Sequence, residues 1–97
     1  KTGLLPREVS ALVTELTSMH HIDLQGFMTI PPPSADPDTI RAAFRALRQI
    51  RDEINRERGY RHPLPHLSMG MTGDFELAIE EGATIVRIGR ALFGERW

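Results

Sequence analysis

The sequence predicts a parallel α/β fold, and three observations predict it. Stretches of helical apolar spacing alternate with short strand-like stretches, the later strands run out into glycine and hydroxyl residues, and each of the three strands is reached through a helix. Strands joined by helical crossovers pair in parallel, with right-handed connections. Three such strands with helices on one side cannot close, and a (β/α)8 barrel takes at least ~200 residues. The 97 residues are therefore predicted to be a single partial domain, the last third or so of such a barrel (about three βα units), or else a small open sheet whose second face needs a partner.

The elements follow in order. From Pro6 to about Met19, the residues Val9, Leu12, Val13, Leu16 and Met19 keep the spacing of one buried helical stripe, and Pro6 suits a first turn. Ile22, Leu24, Gly26, Met28 and Ile30 then alternate with their neighbours, which predicts a strand, and Gly26 within it implies a bend or a close backbone approach. The run Pro31-Pro32-Pro33 ends that strand in a loop. Asp36-Pro37 is an N-cap and first-turn pair, and Ile40, Ala43, Phe44, Leu47, Ile50 and Ile54 define a long helix to about Arg58, with Gly59 as its stop. Tyr60 to Pro65 is a connector. Pro65 to Met69 reads as a strand buried on both faces, Asp74 to Glu81 as a two-turn helix stopped by Gly82, and Thr84 to Ile88 as a last strand before a closing turn over Ala91, Leu92 and Phe93.

Bulk composition narrows the function. Twelve Lys and Arg against thirteen Asp and Glu give a formal charge of −1, so no global field attracts nucleic acid or an anionic membrane. No apolar run approaches the roughly 18 residues of a membrane span. The absence of cysteine excludes disulfides and fits a reducing, cytoplasmic setting. The chain opens on Lys1-Thr2-Gly3 without an initiator Met and reads as a piece of something longer.

Chemistry concentrates after the last two strands. Ser68, Met69, Gly70, Met71, Thr72 and Gly73 follow the penultimate strand, and Gly89-Arg90 follows the last. In parallel α/β architectures the site lies beyond the carboxyl ends of the strands, and in barrels a phosphate often sits between the last two such loops and a short extra helix. Glycines let backbone amides approach a ligand, and hydroxyls and a helix N-terminus favour an anion. The two loops are read as halves of one phosphate cradle, against the plainer reading of glycines that simply make tight turns.

Arg87 interrupts an apolar strand, with Val86 and Ile88 facing the other way. A guanidinium turned into a barrel must be paired or bind a ligand. Arg41, Arg45 and Arg48 share one flank of the long helix, but Asp52 continues it, and the spacing of Arg48/Asp52 and Glu57/Arg61 predicts a solvated, salt-bridged face rather than a nucleic-acid stripe. Arg51 is placed at the edge of the apolar arc, its stem snorkelling. His20, His21, His62 and His66 lack metal-site spacing, no cysteine accompanies them, and no metal site is predicted.

At Leu67-Ser68-Met69-Gly70-Met71-Thr72, with Asp74, Glu76, Ala78 and Gly82, then Val86-Arg87-Ile88-Gly89 and Phe93-Gly94, the chain resembles the pyridoxal phosphate (PLP) homeostasis proteins, the YggS/PROSC-like family. Gly26-Phe27-Met28-Thr29-Ile30-Pro31 and Lys1-Thr2-Gly3 match further segments, so the resemblance spans essentially the whole chain. It implies a PLP-binding (β/α)8 barrel similar to the N-terminal domain of alanine racemases. By motif position, Ser68, Gly70, Met71 and Thr72 would hold the cofactor phosphate with Gly89 and Arg90, Arg87 would face the pyridine nitrogen, and Met28 would line the wall. The family usually carries a small hydroxyl residue where this chain has Arg90, which leaves the backbone N–H as the contact there.

The resemblance also places a lysine for the cofactor aldehyde on the family's first strand. The only lysine here, Lys1, matches a different position. The implied role is PLP carriage and buffering without turnover, this chain supplying the phosphate half of the site, where phosphate or sulfate could stand in. The alternatives are a fragment of a racemase-type PLP enzyme, disfavoured because no catalytic tyrosine matches, and a cofactor-free α/β binding module. Two unpaired sheet edges and an uncovered inner face predict self-association or pairing with the missing N-terminal segment.

Overall fold

The computed structural model of the chain describes residues 3–32 and 35–89. The closing turn expected at Ala91 to Phe93, and Arg90 before it, lie outside the described residues. The element order is a 3-10 turn (Pro6–Glu8), α1 (Val9–Thr17), β1 (Gly26–Met28), α2 (Pro37–Glu57), β2 (His66–Met71), α3 (Phe75–Glu80) and β3 (Ile85–Arg87). The strands form one parallel sheet in the order β1-β2-β3, with a helix between each strand and the next, as the alternating pattern predicts.

Local chemistry sets the boundaries. The Asp36 carboxylate accepts the Thr39 N–H at 2.8 Å and Pro37 opens the first turn, so α2 begins where the sequence places it. Its far end differs from expectation. The residue in the left-handed conformation is Arg58, with φ 55°, not Gly59. The Arg58 N–H donates to Asn55 and the Gly59 N–H to Ile54, the hydrogen-bond pattern of a Schellman cap shifted one residue earlier than the glycine suggests. Gly59 serves closeness instead, since a Cβ there would stand 3.2 Å from Ile54 Cγ2.

β1 is shorter than the predicted run from Ile22 to Ile30. The Tyr60 hydroxyl accepts the Leu24 N–H at 2.9 Å and bonds the Ile22 carbonyl, which also accepts from Arg61, so side chains occupy backbone groups that a ladder would use. Gly26 pairs with His66, and a Cβ at Gly26 would overlap the His66 carbonyl oxygen, which is the close approach the glycine implied. β2 runs two residues beyond Met69, to Met71.

All three helices lie on one face of the sheet. Val9 and Val13 of α1 meet Ile54, Tyr60 and Leu64 over Phe27, and Phe44 of α2 meets Leu67, Met69 and Ala78. Leu12 and Met19, assigned to the buried stripe by spacing, are exposed. The other face of the sheet carries Met28, 61% exposed, and Ile85, 43% exposed, in register with Ser68 between them. Parallel sheets are ordinarily covered on both faces, so this row marks the open side. Among the described residues no helix is long and apolar enough to cross a membrane.

Candidate functional site

The carboxyl end of β2 leaves the regular ladder before it reaches the expected cradle. Ser68 pairs with Ile85 and Met71 with Arg87, so three steps along β2 match two along β3 and a bulge falls between Ser68 and Met71. Gly70 lies in that bulge with φ 106°, a region L side chains rarely adopt, and a Cβ would come within 2.7 Å of the Ala78 Cβ. This glycine is required by both backbone conformation and packing. Gly73 is not, because a Cβ there meets nothing within 4 Å.

The loop from Met71 to Asp74 closes on itself. The Asp74 carboxylate accepts the Met71 N–H at 2.8 Å, and the Asp74 N–H donates to the Met71 carbonyl at 3.1 Å. The Met71 amide, one of the expected cradle donors, is thus committed within the turn, and Asp74 acts as its brace. Ser68 is half-buried on the open face beside Met28, and Thr72 is half-buried in the turn. Gly89 is half-buried just beyond β3, while Arg90, its expected companion, lies outside the described residues.

Arg87 faces the open side, opposite Met71 in register, and reaches across β2 to donate from Nη2 to the Thr29 carbonyl at 3.2 Å. Its Nε is buried and has no hydrogen-bond partner. A buried donor left unmade costs about 1–3 kcal/mol. An acceptor atom bound beside it, such as a ring nitrogen, would remove that cost. The structure therefore brings Ser68, Gly70, Met71, Thr72, Arg87 and Met28 to the carboxyl ends of the three strands, with the buried Nε of Arg87 left without a hydrogen-bond partner.

What sets β3, and hence Arg87, against β2 is a pair of contacts that sequence spacing does not show. Thr84 Oγ1 accepts the Leu67 N–H at 2.9 Å and the Thr84 N–H donates to the Leu67 carbonyl at 3.0 Å. Just before it, the buried Glu81 carboxylate receives Arg41 at 2.9 Å and Arg45 at 3.0 Å, with Arg48 at 3.5 Å; Arg41 also reaches Glu80, and Arg48 donates to the Glu81 carbonyl. Hydrogen bonds from Arg45 and Arg41 hold the Glu81 carboxyl well below its ordinary value, at about 2.

These pairings correct the expected solvated flank. Arg41, Arg45 and Arg48 converge on Glu81, just beyond α3, so Arg48 does not take the expected partner Asp52, which pairs with its neighbour Arg51; Arg51 also donates to the Pro65 carbonyl. Arg61 turns to Asp23 and to the carbonyls of Thr17 and Ile22 instead of Glu57. Among the described residues no group of three or more His, Asp or Glu side chains could hold a metal ion.

Comparison with known proteins places this geometry in context. The family described as "Alanine racemase, N-terminal domain" matches residues 1–96. A pyridoxal phosphate homeostasis protein of Aquifex aeolicus is 52% identical over 96 residues, covering 99% of this chain and 41% of that protein. The protein of the same name from Pseudomonas aeruginosa is 43% identical over 96 residues, covering 99% of this chain and 39% of its own length. Among solved structures, PipY of Synechococcus elongatus PCC7942 with PLP bound superposes with a TM-score of 0.85 at 33% identity, covering 95% of this chain and 43% of that one. The chain thus spans about two fifths of the length of the relatives it matches.

Proposed function

The chain belongs to the family of the alanine racemase N-terminal domain, and from that premise we propose that it is the C-terminal part of a PLP-binding (β/α)8 barrel that carries and buffers PLP. Its share of the work is the phosphate half of the site. Ser68, Gly70 and Thr72, with the backbone at Gly89 and Arg90, hold the phosphate, and Met71, whose own N–H is held by the Asp74 carboxylate, lines the loop; Arg87 faces the ring nitrogen; Met28 lines the wall. The observation that carries this reading is the buried, unpartnered Nε of Arg87 at the carboxyl end of β3.

PLP supplies an aldehyde and an electron-withdrawing pyridine ring. A guanidinium, permanently protonated, disfavours protonation of the ring nitrogen and so weakens the ring as an electron sink, which suits holding the cofactor more than turning over a substrate. The lysine for the aldehyde would come from the segment that precedes this chain in the complete barrel, as Lys1 does not match it. That segment would also cover the face exposing Met28 and Ile85. Tyr60 is spent on Ile22 and Leu24 and is not offered to a substrate, which supports the carrier role over a racemase. The setting proposed is cytoplasmic.

The test is to melt the chain and record its absorption spectrum with PLP and with inorganic phosphate. Stabilisation by both, without the absorption change of a covalently held aldehyde, is expected. Indifference to both would overturn the cradle, and racemisation of alanine by the chain would overturn the carrier role.

A further inference from the structure

At the opposite ends of the strands from the cradle, His62 sits between two oxygen acceptors. Its Nδ1 lies 2.7 Å from the Pro63 carbonyl oxygen and its Nε2 lies 2.6 Å from Asp23 Oδ1. Neither a carbonyl nor an ionised carboxylate can donate, so both ring nitrogens carry protons in this geometry. A neutral imidazole would set one nitrogen lone pair against an oxygen.

We propose that His62 and Asp23 form a proton-dependent latch, fastening the segment between α1 and β1 to the connector between α2 and β2. The segment needs a fastener because Ile22 and Leu24 lie outside the ladder and are held by the hydroxyl of Tyr60, two residues before His62. The surrounding groups act in both directions. Asp23 also accepts from Gln25 at 2.5 Å and faces Arg61 at 3.7 Å; the Tyr60 ring meets His62 edge-on at 5.0 Å; Arg58 lines the same cleft. The hydrogen bond to Asp23 outweighs the repulsion from Arg61 and raises the His62 pKa above its ordinary value, while the same bond lowers that of Asp23. With the folded-state value raised, the latch is fully closed below the unfolded imidazole value of about 6.5 and opens as pH rises through the higher folded value.

The test is an NMR titration of the His62 ring in the chain, read together with amide exchange at Leu24. Expected are a His62 midpoint above ~6.5, and a several-fold loss of Leu24 protection across the same midpoint after correction for intrinsic base catalysis. Asp23→Asn should return the midpoint to the ordinary range and abolish the pH dependence at Leu24. A wild-type midpoint at or below the ordinary value, or Leu24 protection that ignores it, overturns the latch even if the variant fails to fold.

Discussion

Arg87 donates to the Thr29 carbonyl 3.2 Å away, so a guanidinium rooted on β3 spans β2 and ends at the residue just after β1. That bond holds the head group on the open face while leaving Nε buried and unpaired. Replacing Arg87 by Gln removes one hydrogen bond worth about 1 kcal/mol, but also the buried Nε donor that has no partner, so the fold itself should lose little stability. In the proposed site the effect on ligands is selective. PLP should bind about tenfold more weakly, while inorganic phosphate, which meets only the loops, should bind as before. Parallel titrations of both ligands against Arg87→Gln check this; an equal loss for both would place Arg87 at the phosphate instead.

Glu81 gives a pH signature. Its carboxyl is held at about 2 by Arg45 and Arg41 against an ordinary 4.5, so the folded state binds the proton less readily than the unfolded chain does. A depressed folded value contributes stability that is present above pH 4.5 and lost as pH falls toward 2. The wild-type melting temperature should fall through that window. Glu81→Gln, which never carries the charge, should melt lower at neutral pH, by several degrees, and converge on the wild type near the acid end. Parallel thermal melts along the pH series would expose a failure to converge.

The same residue shows where sequence reading stops. Helix α2 was legible because its evidence is local: a capping Asp36, Pro37 beside it and an apolar stripe at helical spacing. The existence of β2 is legible from its short apolar run, but its end is not, since Gly70 and Met71, read as the start of the loop, still belong to the strand. Glu81 follows a two-turn helix, and nothing nearby in the chain announces that Arg41, 40 residues earlier, lies against it. Spacing within α2 therefore directs Arg48 to Asp52. β1 was overextended for a similar reason, since alternation from Ile22 onward cannot reveal that a tyrosine hydroxyl 36 residues beyond Leu24 has taken its N–H. At the end of α2, Gly59 drew the left-handed assignment that belongs to Arg58. The cradle's positions are proposed from the family pattern, whereas the Asp74 brace on the Met71 amide depends on a side-chain direction that no pattern encodes.

The open face makes a prediction about association. Met28, Ile30, Met71 and Ile85 are all exposed, and β1 and β3 each have one neighbour among the described strands. Unpaired edges beside exposed apolar side chains favour pairing with another chain. Sedimentation velocity should show concentration-dependent self-association of the chain, suppressed when the N-terminal segment of a relative is supplied in trans. A concentration-independent monomer would contradict it.

Three glycines in and beside the sheet separate backbone necessity from mere looseness. At Gly26 an added Cβ overlaps the His66 carbonyl oxygen, a backbone atom that moves only if β1 leaves β2, so Gly26→Ala should abolish the β1–β2 pairing. At Gly70 the left-handed backbone costs an alanine about 1–2 kcal/mol, and its Cβ must also displace Ala78 from 2.7 Å in a fully buried site. Gly70→Ala should therefore destabilise by about 2–4 kcal/mol, combining backbone strain with overpacking. Gly73 has neither constraint, and Gly73→Ala should stay within about 0.5 kcal/mol of wild type. Denaturant melts rank the three, and ligand titration of Gly73→Ala adds the functional half. If that well-folded variant loses phosphate binding, the loop at Gly73 needs room for the anion itself; if binding is retained, closeness to the anion rests on the Gly70 bulge and the residues after β3.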